Sequence, residues 1–120
     1  MITEDYCSYE VAKLLKDKGF NEDIHTVYEP TFNKFFNYPL KPNSYSNIIA
    51  APTHQMAMKW LREKHRLHID IDPSEGNWNP TVITLEDWSC VVKFGDNILI
   101  QDTYEEAVEA ALKYVLENLI

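Results

Sequence analysis

TYEEAVEAALKYVLENLI, residues 103–120, is the stretch whose reading decides the fold. Thr103 and Glu106 have the spacing of a capping box, in which side chains satisfy the free amides of a helix start. Val108, Ala111, Leu112, Val115, Leu116 and Leu119 recur at three- and four-residue intervals and share one stripe of a helix. Glu105, Glu109, Lys113 and Glu117 fall on the opposite side, with Glu109 four residues ahead of Lys113. Such a helix needs an apolar surface to cover, so the class of fold depends on what precedes it.

Working outward, period-two patterns precede it. Leu67, Ile69 and Ile71 alternate with Arg66, His68, Asp70 and Asp72, the signature of a half-buried strand. Residues 81–85 read as a second strand. Residues 88–94 and 98–101 read as a hairpin about Gly95-Asp96-Asn97. Between them, residues 72–80 carry Gly76, Trp78, Pro73 and Pro80 and read as a polar loop. Upstream, Thr53 suits the N-cap of a helix ending near Lys64, with Met56, Ala57, Trp60 and Leu61 as its apolar face. Another helix is expected over 8–18. Ser8 is its cap, Val11, Leu14 and Leu15 its core stripe, Gly19 its left-handed stop, and Phe20 is placed to fold back.

Residues 21–51 carry weaker signals. A short strand is expected over 25–29, ended by Pro30. Phe32, Phe35, Phe36, Tyr38 and Tyr45 follow, interrupted by Pro39 and Pro42, which forbid a regular central strand. The stretch reads as edge strands and a packed loop whose aromatics cover the core. The whole predicts an α+β protein: three helices packed on one face of an antiparallel sheet of about four strands, in one domain spanning 1–120.

Composition narrows the chemistry. The net charge of −8 opposes general affinity for phosphate backbones or anionic lipid, so nucleic acid and membrane are not expected partners. The charge is uneven: residues 59–68 hold four cations and one acid, and residues 101–120 five acids and one lysine. No apolar run is long enough to span a bilayer, and the acidic start Met1-Ile2-Thr3-Glu4-Asp5 does not read as a signal peptide. Cys7 and Cys90 belong to no paired motif and read as reduced thiols, Cys90 as a small core residue. Together these features predict a cytoplasmic protein. The only glycines are Gly19, Gly76 and Gly95, too few and too far apart for a Walker A loop, a dinucleotide fingerprint or a nucleophile elbow. No cofactor is expected.

Three sets of residues have chemical potential beside a plainer role. His68, Asp70 and Asp72 share one strand face about 7 Å apart, a candidate metal or acid–base site. The outer face of a half-buried strand is also ordinarily polar. Phe32, Phe35, Tyr38 and Trp78 offer stacking surfaces, and Arg62 and Arg66 phosphate contacts, for a nucleotide-like ligand. Core packing and a solvated helix face account for the same residues. His25 and His54 stand alone, and His54 suits a surface or capping role at the start of its helix.

Three segments carry a resemblance: ITEDYCSYEVAKLLKDKGF (2–20), APTHQMAMKWLREKHRLHIDI (51–71) and TYEEAVEAALKYVLENLI (103–120). About half of the chain, both ends and the centre, is similar to a family of small uncharacterised proteins encoded by phages and mobile elements of gut Bacteroidetes. The resemblance implies an intracellular accessory role in a bacterial host. With the missing catalytic motifs and the uneven charge, it leads to the expectation of a non-enzymatic protein that binds a host or phage protein. The alternatives are a small-ligand binder built on the aromatics, and a metal-dependent hydrolase centred on His68 and Asp70.

Overall fold

The computed structural model describes residues 1–29, 34–37, 41–92 and 99–120, and the side chains of all of these except 34–37. Among them are three α-helices and six strands, an α+β architecture. The strands form two antiparallel sheets of three, not the single sheet of about four expected from the sequence. Two compact units divide the chain, Met1–Ala57 and Met58–Ile120.

In the first unit, helix α1 (Tyr9–Asp17) begins where Ser8 accepts a hydrogen bond from the Val11 amide at 3.2 Å. It ends in a Schellman arrangement. The Phe20 amide reaches back to the Leu15 carbonyl at 2.9 Å and the Gly19 amide to Lys16 at 3.1 Å. The closure needs a left-handed residue, and Gly19 supplies φ +96°. Phe20 is thereby turned inward and is buried, as are Val11 and Leu15 of the helix. Strands β1 (Thr26–Glu29), β2 (Lys34–Asn37) and β3 (Ile49–Ala50) pair in the order β2-β1-β3. Tyr28, Ala12, Ile49 and Ala51 form a buried cluster with Tyr9, whose ring meets Tyr28 edge-on at 5.6 Å. The Tyr28 hydroxyl donates to the Cys7 carbonyl at 2.8 Å, so this buried ring keeps its polar end satisfied.

The loop before β3 is held from below. Pro42–Ser44 forms one 3-10 turn. Asn43 donates to the Phe20 carbonyl at 2.6 Å and accepts from the Ala50 amide at 2.7 Å. The Lys16 ammonium donates to the carbonyls of Tyr45 and Ile48. Burial lowers the Lys16 pKa, and the neighbouring Asp17 partly offsets the effect.

Helix α2 (His54–His65) starts as expected, with the Met56 amide on the Thr53 hydroxyl at 3.1 Å. Its apolar face is corrected by one residue: Met58 is buried with Ala57, Trp60 and Leu61, while Met56 is 40% exposed. His54, expected at the surface, is buried, with its amide donating to the Asp5 carbonyl at 2.9 Å.

In the second unit, strands β4 (Leu67–Ser74), β5 (Asn77–Thr84) and β6 (Cys90–Val92) pair in that order. The expected polar loop over 72–80 is instead the closing half of a long β4–β5 hairpin. Ser74 faces Asn77 across a two-residue turn, with Glu75 at φ +48° and Gly76 at φ +88°. The prolines do not break it. Trp78 exchanges both of its main-chain hydrogen bonds with Gln101, at 2.9 and 3.1 Å, so Pro73, opposite Trp78, sits at a non-hydrogen-bonded position of the β4–β5 ladder. Two residues along, Pro80 opposite Ile71 falls on the same kind of position. No amide is demanded from either proline by the partner strand.

Helix α3 (Tyr104–Asn118) packs on β4 and β5. The Glu106 amide donates to the Thr103 hydroxyl at 3.1 Å, and that hydroxyl donates to the Glu106 carboxylate at 2.9 Å. Val108, Ala111, Leu112, Val115 and Leu116 are fully buried, as the stripe required, and Leu119 at the C-cap is half-buried. The four larger of these stabilise the fold by about 1.5–3 kcal/mol each relative to exposure. The expected stop at Pro30 and the hairpin about Gly95-Asp96-Asn97 lie outside the described residues.

Candidate functional site

The side chain least explained by folding is Trp88. It is 74% exposed, more than any other large hydrophobic residue described beyond Met1 and Ile2. The hairpin expected over 88–94 and 98–101 placed it at the start of a strand. It lies instead in the turn between β5 and β6, with its backbone at φ +65°. A bulky residue rarely adopts that conformation, which costs of order 1 kcal/mol or more.

The turn holds this conformation through several hydrogen bonds. The Trp88 amide donates to the Thr84 carbonyl at 2.8 Å, and the Thr84 amide to the Ser89 carbonyl at 2.9 Å. Asp87 Oδ1 accepts from both the amide and the hydroxyl of Ser89, at 3.1 and 2.8 Å. Those bonds, the hydroxyl first and the amide second, hold the Asp87 carboxyl below its ordinary pKa, so it is ionised at neutral pH. The Leu85 amide donates to the Arg66 carbonyl at 2.8 Å. Arg66 then extends its guanidinium toward the Leu85 carbonyl at 3.4 Å and the Glu86 carboxylate at 3.7 Å.

Beyond the turn, the pairing of β6 with β5 is irregular. Val82 pairs with Val92 and Ile83 with Cys90, which leaves Val91 as the extra residue of a bulge. Cys90 and Val91 are both exposed, Val91 by 42%. Cys90 is therefore not the core residue expected from its place in a strand. Trp88, Cys90 and Val91 form an apolar, uncharged stretch beside the acids Glu86 and Asp87.

The candidates drawn from the sequence fare differently. Phe32 and Tyr38 lie outside the described residues. Phe35 is placed by its backbone alone, opposite Tyr28 on β1. Trp78 is half-buried, and its ring meets Tyr104 edge-on at 5.5 Å, a packing role. Arg62 is half-buried on α2, and Arg66, leaving that helix at φ +56°, braces the Trp88 turn. Trp60 points inward and meets the His65 ring at 4.7 Å.

On β4, Asp70 and Asp72 come together. Burial first, then the charge and hydrogen bond of Asp70, push the Asp72 carboxyl above its ordinary pKa. His68 lies opposite Ile83 in the register, a neighbour without a ligand atom. Among the described residues, no three His, Cys, Asp or Glu side chains gather as a metal site would require. None of their helices is long and apolar enough to cross a membrane. No family model, curated protein or solved structure matches this chain.

Sequence reasoning missed the Trp88 turn, although a signal was present. Asp87-Trp88-Ser89 is an Asx-turn sequence, with an acceptor two residues ahead of a donor pair. The hairpin expected about Gly95-Asp96-Asn97 had placed Trp88 in a strand instead.

Proposed function

We propose that this chain is a non-enzymatic recognition protein that seats Trp88 and its neighbours in an apolar pocket of a partner protein. The single observation that carries the reading is a tryptophan held 74% exposed by a hydrogen-bonded turn in a conformation it does not favour. A pre-ordered aromatic anchor loses little entropy on binding, and such residues dominate interface energetics. Glu86 and Asp87 beside it favour a pocket with a basic rim, which agrees with the net charge of −8. With the phage and mobile-element resemblance, this makes the chain an accessory protein acting on a host or phage protein in the bacterial cytoplasm. A nucleotide site draws less support, because Trp78 and Arg66 are engaged in contacts within their own unit.

The test is affinity capture from lysate of a bacterial host with the tagged chain, with Trp88→Ala and Tyr45→Ala variants alongside. A specific partner retained by wild type and Tyr45→Ala, and lost with Trp88→Ala, supports the reading. Identical capture by the Trp88→Ala protein overturns it.

A further inference from the structure

The first unit carries a second feature, independent of the Trp88 turn. Asp23, Lys41, Ser44 and Tyr45 line an open hollow of about 350 Å³. That volume is at the small end of the range for ligand pockets. Asp23 and Lys41 are both exposed, and among the described residues neither has an ion-pair partner. One hollow is therefore lined by an acidic residue and a basic residue without an ion-pair partner among the described residues, a serine, and a tyrosine that is 48% exposed.

The wall is pre-ordered. Ser44 belongs to the Pro42–Ser44 turn, and its hydroxyl donates to Asn21 Oδ1 at 3.3 Å, leaving its oxygen free to accept. The carbonyl of Tyr45 receives the Lys16 ammonium, and Asn43 ties the turn to Phe20 and Ala50. Three bonds, from the Lys16 ammonium, the Asn43 side-chain amide and the Ala50 amide, thus hold the backbone from which Ser44 and Tyr45 project.

From this arrangement we infer that the hollow binds a small zwitterion, a free α-amino acid with a flat side chain. Its ammonium would pair with Asp23, its carboxylate with Lys41 and the Ser44 hydroxyl, and its side chain with the Tyr45 ring. Charge-assisted hydrogen bonds are the strong ones, and a ligand bearing both charges can meet both Asp23 and Lys41. A nucleotide phosphate would meet the Asp23 carboxylate as a like charge.

The experiment is a titration of the full chain, followed by backbone amide NMR shifts. The ligands are L-phenylalanine, glycine, N-acetyl-L-phenylalanine and L-phenylalaninamide. Phenylalanine is expected to give saturable shifts at residues 23, 41 and 43–45. Removing either charge from the ligand weakens binding about tenfold or more, and glycine binds more weakly than phenylalanine. Asp23→Asn and Lys41→Met each weaken phenylalanine by a similar factor, with the remaining spectrum unchanged. No saturation up to about 20 mM phenylalanine, equal binding of the blocked forms, or shifts centred elsewhere each overturn the inference. The blocked ligands act on the wild-type chain, so the result stands even if a variant fails to fold. Partner capture through Trp88 is unaffected by any of these outcomes.

Discussion

The two outer strands of the second sheet handle the same hazard in opposite ways. An unpaired strand edge invites association, and charge or proline on it discourages that. On β4 the exposed Asp70 and Pro73 and the half-buried Asp72 do this, with burial first and the neighbouring Asp70 second raising the Asp72 pKa. On β6 and the turn before it, Trp88, Cys90 and Val91 stand exposed with no charge among them. There a bulge interrupts the strand edge while leaving apolar side chains on display. One edge is built against all contact. The other is built against strand addition but in favour of side-chain contact.

The largest test of that contrast is Trp88→Ala. It should weaken partner binding by about 2 kcal/mol or more, as central aromatic anchors do, with the midpoint of thermal unfolding nearly unchanged. A midpoint fall of many degrees would recast Trp88 as a packing residue and erase the difference between the edges. Next comes Gly76→Ala in the β4–β5 turn. No heavy atom approaches within 4 Å of the added carbon, so only backbone strain at φ +88° acts. About 1 kcal/mol of stability should be lost in denaturant unfolding, with binding intact. Trp88→Gly sharpens the contrast further. Relieving φ +65° should raise stability by roughly 0.5–1 kcal/mol while binding falls, a stability gained at the expense of function.

The smallest effects are opposite in sign and depend on pH. The pKa of Asp87 is depressed in the fold, so its contribution is present above the unfolded carboxyl value near 3.9 and is lost as pH falls through the folded value. Asp87→Ala should therefore destabilise at pH 7, and the gap should close in acid. The pKa of Asp72 is raised, so its ionisation opposes folding above the folded value, and that cost disappears below the unfolded one. Asp72→Asn should stabilise at pH 7 and change nothing near pH 3. Thermal melts of both variants across pH check the pair, and matching signs would contradict the account.

Much of the scaffold was legible in advance because its signals are local. Ser8, Thr53 and Thr103 cap helices through bonds spanning three residues, and Gly19 ends α1 for reasons contained in six. The errors came where pairing partners decide. Pro73 and Pro80 read as strand breakers, yet they are harmless at positions where the neighbouring strand asks for no amide. Met56 and Met58 both fit an apolar stripe near the helix start, and only the packing chose Met58. The candidate site was hardly legible at all. The expected hairpin put Trp88 in a strand, and the Asp87–Ser89 bonds overrode it.

By itself the sequence determined the α+β class, the three helices with their caps, the buried stripe of α3 and the lack of glycine-rich phosphate loops. These follow from interactions within a few residues, where backbone geometry leaves few choices. The tertiary structure alone decided that the strands divide into two sheets, that Arg66 braces a turn, that Asp23 and Lys41 share a hollow, and that Trp88 faces water. Each of these depends on which distant segments meet, and the free energy separating such pairings is spread over contacts that no local pattern records.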